Sequence, residues 1–566
     1  MIRKLFPLLL ALAVLLQGCG GLPGAGSSES EETRPHSAVL TPRPSLVEQI
    51  AGPQGPTYFK DVWRGDVDYS EMEYEHYEET WFWRYTEPFY RFAEEGGTAE
   101  EFSDADFELT DELYYVYTLM ELMELRNSAD PEDAEVEAEY LYAQDLYYKL
   151  SDEFNLALHA LAVSPYVSLM EDVYSADLIE EYADYEGADE DEFSLYNQEN
   201  ELINEYYRLM AQEEIDTDAV GYVYLQLVEL WNTEAELYGL DSYAEYAYYY
   251  DFARDYGPED TRAVWDGVKE SIVPLMQRYA RSIWRGVERL ESDDSFDCSL
   301  DAILDAMDGV LPQMSGELYT AFRYMQEHGL CDADLDPRKA NTGYTMTLYY
   351  YNEPFIFNAP YGEFNDYMDM FHEFGHFTNA FYNRSDLLYG VSDFDLSELQ
   401  SQGLEMLFTH YYDEIFGQYA DAARSYALLR LIYSVVDGAL YDEFQQRVFS
   451  EKDLTVERVN EIYAALYEEY GYVPYDGYET EWMFISHNFD MPFYYVSYCV
   501  SALGALELYQ LAESDWDDAL DKYLTICAMD TEEYYYSEAV EEVGLSDTFA
   551  PETYADIAAA MERSFR

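Results

Sequence analysis

The chain has 566 residues, 49% of them apolar, and sets 30 lysines and arginines against 117 aspartates and glutamates. That length supports two lobes with a large core. A net charge of −87 repels phosphate backbones, which excludes nucleic acid as a partner, and it lowers affinity for anionic lipid.

The N-terminus begins Met1-Ile-Arg3-Lys4, continues in an apolar run from Leu5 to Leu16, and reaches Gln17-Gly18-Cys19. A basic head, a short hydrophobic core and a small residue before the cut describe an export signal and not a membrane span. Leu16-Gln-Gly-Cys19 resembles the bacterial lipoprotein lipobox, in which the cysteine becomes the lipidated first residue. Residues 1–19 are therefore expected to be a signal peptide. Lipidation at Cys19 would hold the exported protein at the cell membrane, facing outside the cytoplasm. Residues 20–50, rich in Gly, Ser, Pro and Glu, read as a flexible tether.

From about Asp61 to Asn341 the pattern is helical, and 51–270 is expected to form an N-terminal helical lobe. Leu146, Leu150 and Phe154 recur at helical spacing, as do Val223, Leu227, Leu230 and Leu237. Breaks are expected at Gly96-Gly97, Asp130-Pro131, Gly187, Gly257-Pro258 and Asp336-Pro337. The 61 tyrosines combine apolar area with a hydroxyl and suit half-buried positions. Cys298 and Cys331 flank one helical stretch and could bridge in an oxidising exterior, or stand as isolated thiols. No C-x-x-C pair suggests a structural zinc cluster.

The helical pattern breaks at Gly343–Phe357, where Tyr344, Thr345, Thr347, Leu348, Tyr349, Phe355, Ile356 and Phe357 favour two or three short strands. An exposed edge there could take a peptide as an added strand.

Next comes the segment with the strongest chemistry, His372-Glu373-Phe-Gly-His376. Residues four apart share one helix face, so both histidines can reach one ion while Glu373 sits beside it. The pattern reads as a zinc site with a glutamate base, which needs one more protein ligand and an open position. Glu398, in the first turn of a second helix that Ser392 or Asp395 can cap, supplies that third ligand. Glu405, two turns further along the same face, could orient a histidine ligand.

His372-Glu-Phe-Gly-His376 followed by Glu398-x-x-Ser401-Gln402-x-x-Glu405 resembles the thimet oligopeptidase and oligoendopeptidase F family of zinc metallopeptidases. Arg338–Tyr344, Pro354–Gly362 and the block from His487 to Tyr498 look like segments of the oligoendopeptidase F branch, so motifs cover about residues 338–500. Two nearby positions depart from the family pattern: Asn379 stands where a histidine is usual, and Gln400 where a proline is usual. In the last block Val496 replaces the middle tyrosine, with Tyr495 beside it.

The resemblance implies a mainly α fold, a two-lobed helical clamshell with a deep channel and a small β-sheet next to the zinc helix, the catalytic lobe spanning 271–566. It implies one Zn2+ per chain on His372, His376 and Glu398. The reaction would be hydrolysis of internal bonds in short unfolded peptides, with Glu373 as general base on a zinc-bound water. His487 and the tyrosines Tyr498 and Tyr495 would stabilise the oxyanion. Two other readings remain: a surface lipoprotein that binds peptides without cutting them, and a helical zinc carboxypeptidase. An intact Glu373 counts against the first, because holding zinc does not require it.

Overall fold

The computed structural model describes Tyr69, 76–77 and 79–565, apart from 172, 186, 188–189, 211, 213, 292–295, 341, 352, 384–391 and 532–533. The lipobox with Cys19 and the expected tether lie outside these residues. Helices dominate the described chain and a three-stranded sheet interrupts them once. The helix breaks expected from Gly and Pro fall between helices, for example after Glu95, after Ala129 and around Gly187. Among the described residues, no helix is long and apolar enough to cross a membrane.

Helix α1 (Ala99–Ala129) opens with a reciprocal cap, in which the Thr98 side chain accepts from Glu101 N and Glu101 returns to Thr98 N. Every residue from Asp111 to Leu125 is buried, so the helix is enclosed on all sides. Packing, rather than amphipathic patterning, therefore fixes its place.

In the sheet the strand order is β1 (Cys331–Asp332), β3 (Glu353–Asn358), β2 (Gly343–Leu348). Strand β3 runs parallel to β1 and antiparallel to β2, with Thr345 opposite Ile356. It is buried along its whole length. Strand β2 forms one edge of the sheet, and α1 holds it from the other half of the chain. Tyr344 donates to Ser128 Oγ at 3.0 Å, and Tyr350 N donates to Thr118 Oγ1 at 2.9 Å.

Helix α2 (Asn365–Asn383) is fixed at its start by Asp366, whose carboxylate accepts from the backbone of Tyr361, Gly362 and Glu363. Helix α3 (Phe394–Phe408) is buried at every position except Ser397. Its cap is Asp393, which accepts from Leu396 N at 2.8 Å. This corrects the expectation of Ser392 or Asp395. Asp395 is instead engaged by Arg254 and Tyr256, and Ser392 by Thr531.

Helix α4 (Ala420–Phe449) and helix α5 (Tyr495–Ala512) complete the packing around α3, and α6 (Trp516–Cys527) closes the far side. No disulfide joins Cys298 to Cys331, and burial pushes the Cys331 thiol up to about 12.

The acidic composition shapes how the interior is satisfied. With few cations to hand, buried carboxylates take phenolic donors: Tyr77 to Glu112, Tyr174 to Asp106, Tyr248 to Asp442 and Tyr324 to Glu353. Each pair buries a ring while giving the carboxylate a hydrogen bond, which avoids the cost of an unpaired buried charge.

Candidate metal centre

Helices α2 and α3 approach so closely that a Cβ on Gly375 would lie 2.5 Å from Ser401 Cα and 2.9 Å from the Gln400 carbonyl. Only glycine fits at that crossing. The approach brings Glu398 of α3 to the His372–His376 face of α2. One ligand atom from each of His372, His376 and Glu398 lies within 4.8 Å of the others. His372 Nε2 is 3.4 Å from Glu398 Oε2, and the two imidazole rings stand 5.0 Å apart at 78°.

Neighbouring groups orient these side chains. His372 Nδ1 faces Glu405 Oε2 at 3.8 Å, and His376 Nδ1 meets Ser397 Oγ at 3.2 Å. That leaves the Nε2 atoms of both rings for an ion, the usual arrangement when Nδ1 has its own partner. Glu398 accepts from Tyr494 at Oε1 (2.5 Å) and from Ser401 at Oε2 (3.2 Å). Two imidazoles and a carboxylate form a donor set that suits zinc, so the residues present fit the expected metal.

The electrostatics agree with a cation site. Burial pulls the His372 imidazole down, but the carboxylates of Glu405, Glu398 and Glu373 outweigh it and push it up to about 9. Burial, with His372 alongside, holds His376 well below its ordinary value, so it stays neutral. Burial raises Glu373 to about 7, although His372 and the hydrogen bond from Thr345 oppose it. Thr345 Oγ1 donates to Glu373 Oε2 at 2.8 Å and to its backbone carbonyl at 3.1 Å. The sheet edge thereby fixes the carboxylate that sequence reading put beside the metal.

Two cavities border this group. One, of about 140 Å3, is lined by His372, Glu373, His376 and Glu398 together with strand β2, α1, Tyr494 and Tyr498. The other, of about 590 Å3, also reaches His372, Glu373 and Tyr498, and continues past Glu405, Arg430 and Tyr495. Tyr498 thus borders both cavities, and Tyr495 only the second. His487 packs edge-on against Tyr494 and Tyr495, stacks along Tyr498, and meets Asp490 Oδ1 at 3.2 Å.

Sequence reading grouped Tyr494 with the oxyanion-stabilising tyrosines and missed its role here, in which its hydroxyl holds Glu398. It sat inside the recognised block, but only the helix start at Tyr495 shows which ring turns inward. Phe493, at φ 70°, makes that turn in the left-handed region, a strained conformation for a bulky residue. Gln445 accepts from its N–H at 2.8 Å and Arg254 donates to its carbonyl at 2.9 Å. Arg254 was missed as well, since no motif surrounds it. It is fully buried, donates to Asp395 Oδ1 at 3.3 Å and to Ser497 Oγ at 2.8 Å, and so ties α3 to α5.

No protein-family model and no curated relative matches the chain. Solved structures do. A PZ peptidase A crystallised with an inhibitor superposes with a TM-score of 0.73 at 21% identity, over 88% of this chain and 99% of that one. A protein assigned as an oligoendopeptidase F gives 0.74 at 21% identity, over 88% and 98%. Another assigned so, from Bacillus anthracis, gives 0.69 at 19%, over 88% and 97%. The resemblance read from residues 338–500 thus extends through the described body, and the fold is the helical one shared by PZ peptidase and oligoendopeptidase F structures.

Proposed function

We propose that the protein is a zinc-dependent metalloendopeptidase that hydrolyses internal bonds of short unfolded peptides. The observation that carries this is the convergence of His372, His376 and Glu398 on one point, with Glu373 beside them on the wall of the same cavity. The peptidase names of the structural neighbours support it.

Zinc held by His372, His376 and Glu398 would supply Lewis acidity, polarising the scissile carbonyl and acidifying an attacking water. Glu373 takes the proton from that water as its oxygen bonds to the carbonyl carbon, and passes it to the amine nitrogen as the C–N bond breaks. Thr345 keeps the carboxylate oriented for both transfers. Tyr498, which borders both cavities, donates to the developing oxyanion, with His487 and Tyr495 behind it. The peptide backbone adds to the edge of β2, whose residues Gly343 to Thr347 line the metal cavity. Pairing through the main chain asks little of side chains and suits varied sequences.

Glu373→Gln keeps the shape and the neighbouring ligands but cannot accept a proton. Removing a general base costs a factor of about 10²–10⁴. The variant should retain zinc and bind peptides while turnover of a mixed peptide library, followed by mass spectrometry with and without chelator, falls by at least that factor. Undiminished cleavage would overturn the assignment. A wild-type protein that binds peptides and zinc but cuts nothing would mean a peptide-binding lipoprotein, and trimming from one end only would mean a carboxypeptidase.

The membrane-anchored, exported state is part of the same proposal and rests on the Leu16–Cys19 lipobox. Cys19→Ser should release the protein from membranes or leave it unprocessed. An unchanged membrane fraction with no lipid on the native N-terminus would refute it.

A further inference from the structure

Two carboxylates in the metal cavity have no role in the chemistry above. Glu121 and Glu124 lie three residues apart on α1 and line the cavity that holds His372, Glu373, His376 and Glu398. Glu121 is 3% exposed and Glu124 is 7% exposed, yet the Oε2 atom of each is buried without a hydrogen-bond partner. The Tyr349 backbone and the Thr118 side chain favour the charged form of Glu121, but burial outweighs them. No lysine or arginine lines this cavity. Burial pushes both carboxyls well above the usual range, and Glu124 pushes Glu121 further.

Among the buried carboxylates that keep one oxygen without a donor, Glu121 and Glu124 are the two on the wall of this cavity. An unpaired buried carboxylate is costly, and the cost is recovered only when a donor or a cation arrives. The cavity is narrow, so the group that arrives is one side chain. We propose that Glu121 and Glu124 form a specificity subsite for a lysine or arginine flanking the scissile bond. The claim rests on the peptidase reading and adds to it a substrate class: unfolded peptides with a basic residue next to the cut. Strand β2 lies between this pair and Glu373 on the same cavity wall, so a peptide paired with β2 presents alternate side chains toward α1.

The test uses the full chain and blocked nine-residue peptides that carry lysine or norleucine at one position, scanned along the sequence. At the flanking position the wild type should favour lysine by at least tenfold in kcat/KM. In the Glu121→Gln, Glu124→Gln double variant the lysine-to-norleucine ratio should fall toward one, with zinc content and unfolding midpoint checked to exclude a folding defect. Binding of the same peptides to Glu373→Gln protein reads the subsite without turnover, and the lysine preference should appear there too. Equal use of lysine and norleucine by the wild type, or a preference that survives the double variant, overturns the proposal. If nothing is cut yet Glu373→Gln protein binds the lysine peptide more tightly, the subsite stands and the peptidase reading falls.

Discussion

Asn379 of α2 and Gln400 of α3 donate to the same acceptor, the Met529 carbonyl, at 3.1 and 3.0 Å. These are the two positions near the ligands where the chain departs from the oligoendopeptidase pattern. Asn379 also bonds the Cys527 carbonyl and Gln400 the Ile526 carbonyl. The two departures thus add donors to the carbonyls at and just beyond the end of α6, and they do so together. Asn383, one turn beyond Asn379, adds a third donor to Met529 at 3.0 Å.

Gln400 is fully buried, so Gln400→Leu leaves the Ile526 carbonyl without this donor. That carbonyl still accepts from the Met529 N–H at 3.0 Å, so the cost is that of the hydrogen bond alone, about 0.5–1.5 kcal/mol. Denaturant unfolding should show that drop, while metal analysis should still find zinc, because no proposed ligand changes.

Zinc should bind once per chain and stabilise the fold. Ligand held at a thousandfold over its dissociation constant adds about 4 kcal/mol. Chelation should lower the unfolding midpoint and added zinc should restore it. His376→Ala should abolish both the metal and the response; a His376→Ala protein that still binds one zinc as tightly as wild type would remove this ligand from the set.

Tyr494 and Tyr498 divide two tasks. Tyr494→Phe removes the hydrogen bond to Glu398 Oε1, and loss of such an orienting partner weakens metal binding by about 10–100-fold. Tyr498→Phe should leave zinc affinity near wild type and lower kcat. Competition with a zinc-sensing dye, alongside peptide kinetics, separates the two; equal metal affinity in both variants would contradict the division.

Glu199 is 2% exposed and accepts from Trp231 Nε1 at 2.5 Å. Burial raises it well above the ordinary carboxylate range, with Asp251 adding to the rise. A raised folded-state value means the native state holds the proton more tightly, so stability falls as pH climbs from the unfolded value near 4.3 through the folded one. Between about pH 5 and pH 8 this group should cost at least about 1.4 kcal/mol, since each tenfold change in proton affinity is worth that much. Glu199→Gln should flatten that part of the stability profile. A wild-type slope that the variant leaves unchanged would assign it to other buried acids.

The sequence by itself determined the helical character, the position of the sheet and the grouping of His372, His376 and Glu398. Local signals carry these: helical periodicity, the strand-favouring run after Thr342, and a four-residue histidine spacing that allows one geometry on a helix. The helix breaks were legible because Gly and Pro act on their own backbone. What depends on distant partners was not legible. Asp393 caps α3 because Arg254, from a loop 141 residues away in sequence, already holds Asp395. Tyr494 reaches Glu398 because Gln445 and Arg254 hold Phe493 in a left-handed turn. Glu121 and Glu124 read as two more acids in an acidic chain, and only the packing of α1 against β2 puts them in the metal cavity. The tertiary structure decided these roles, because a buried polar group is defined by the partners that folding brings to it.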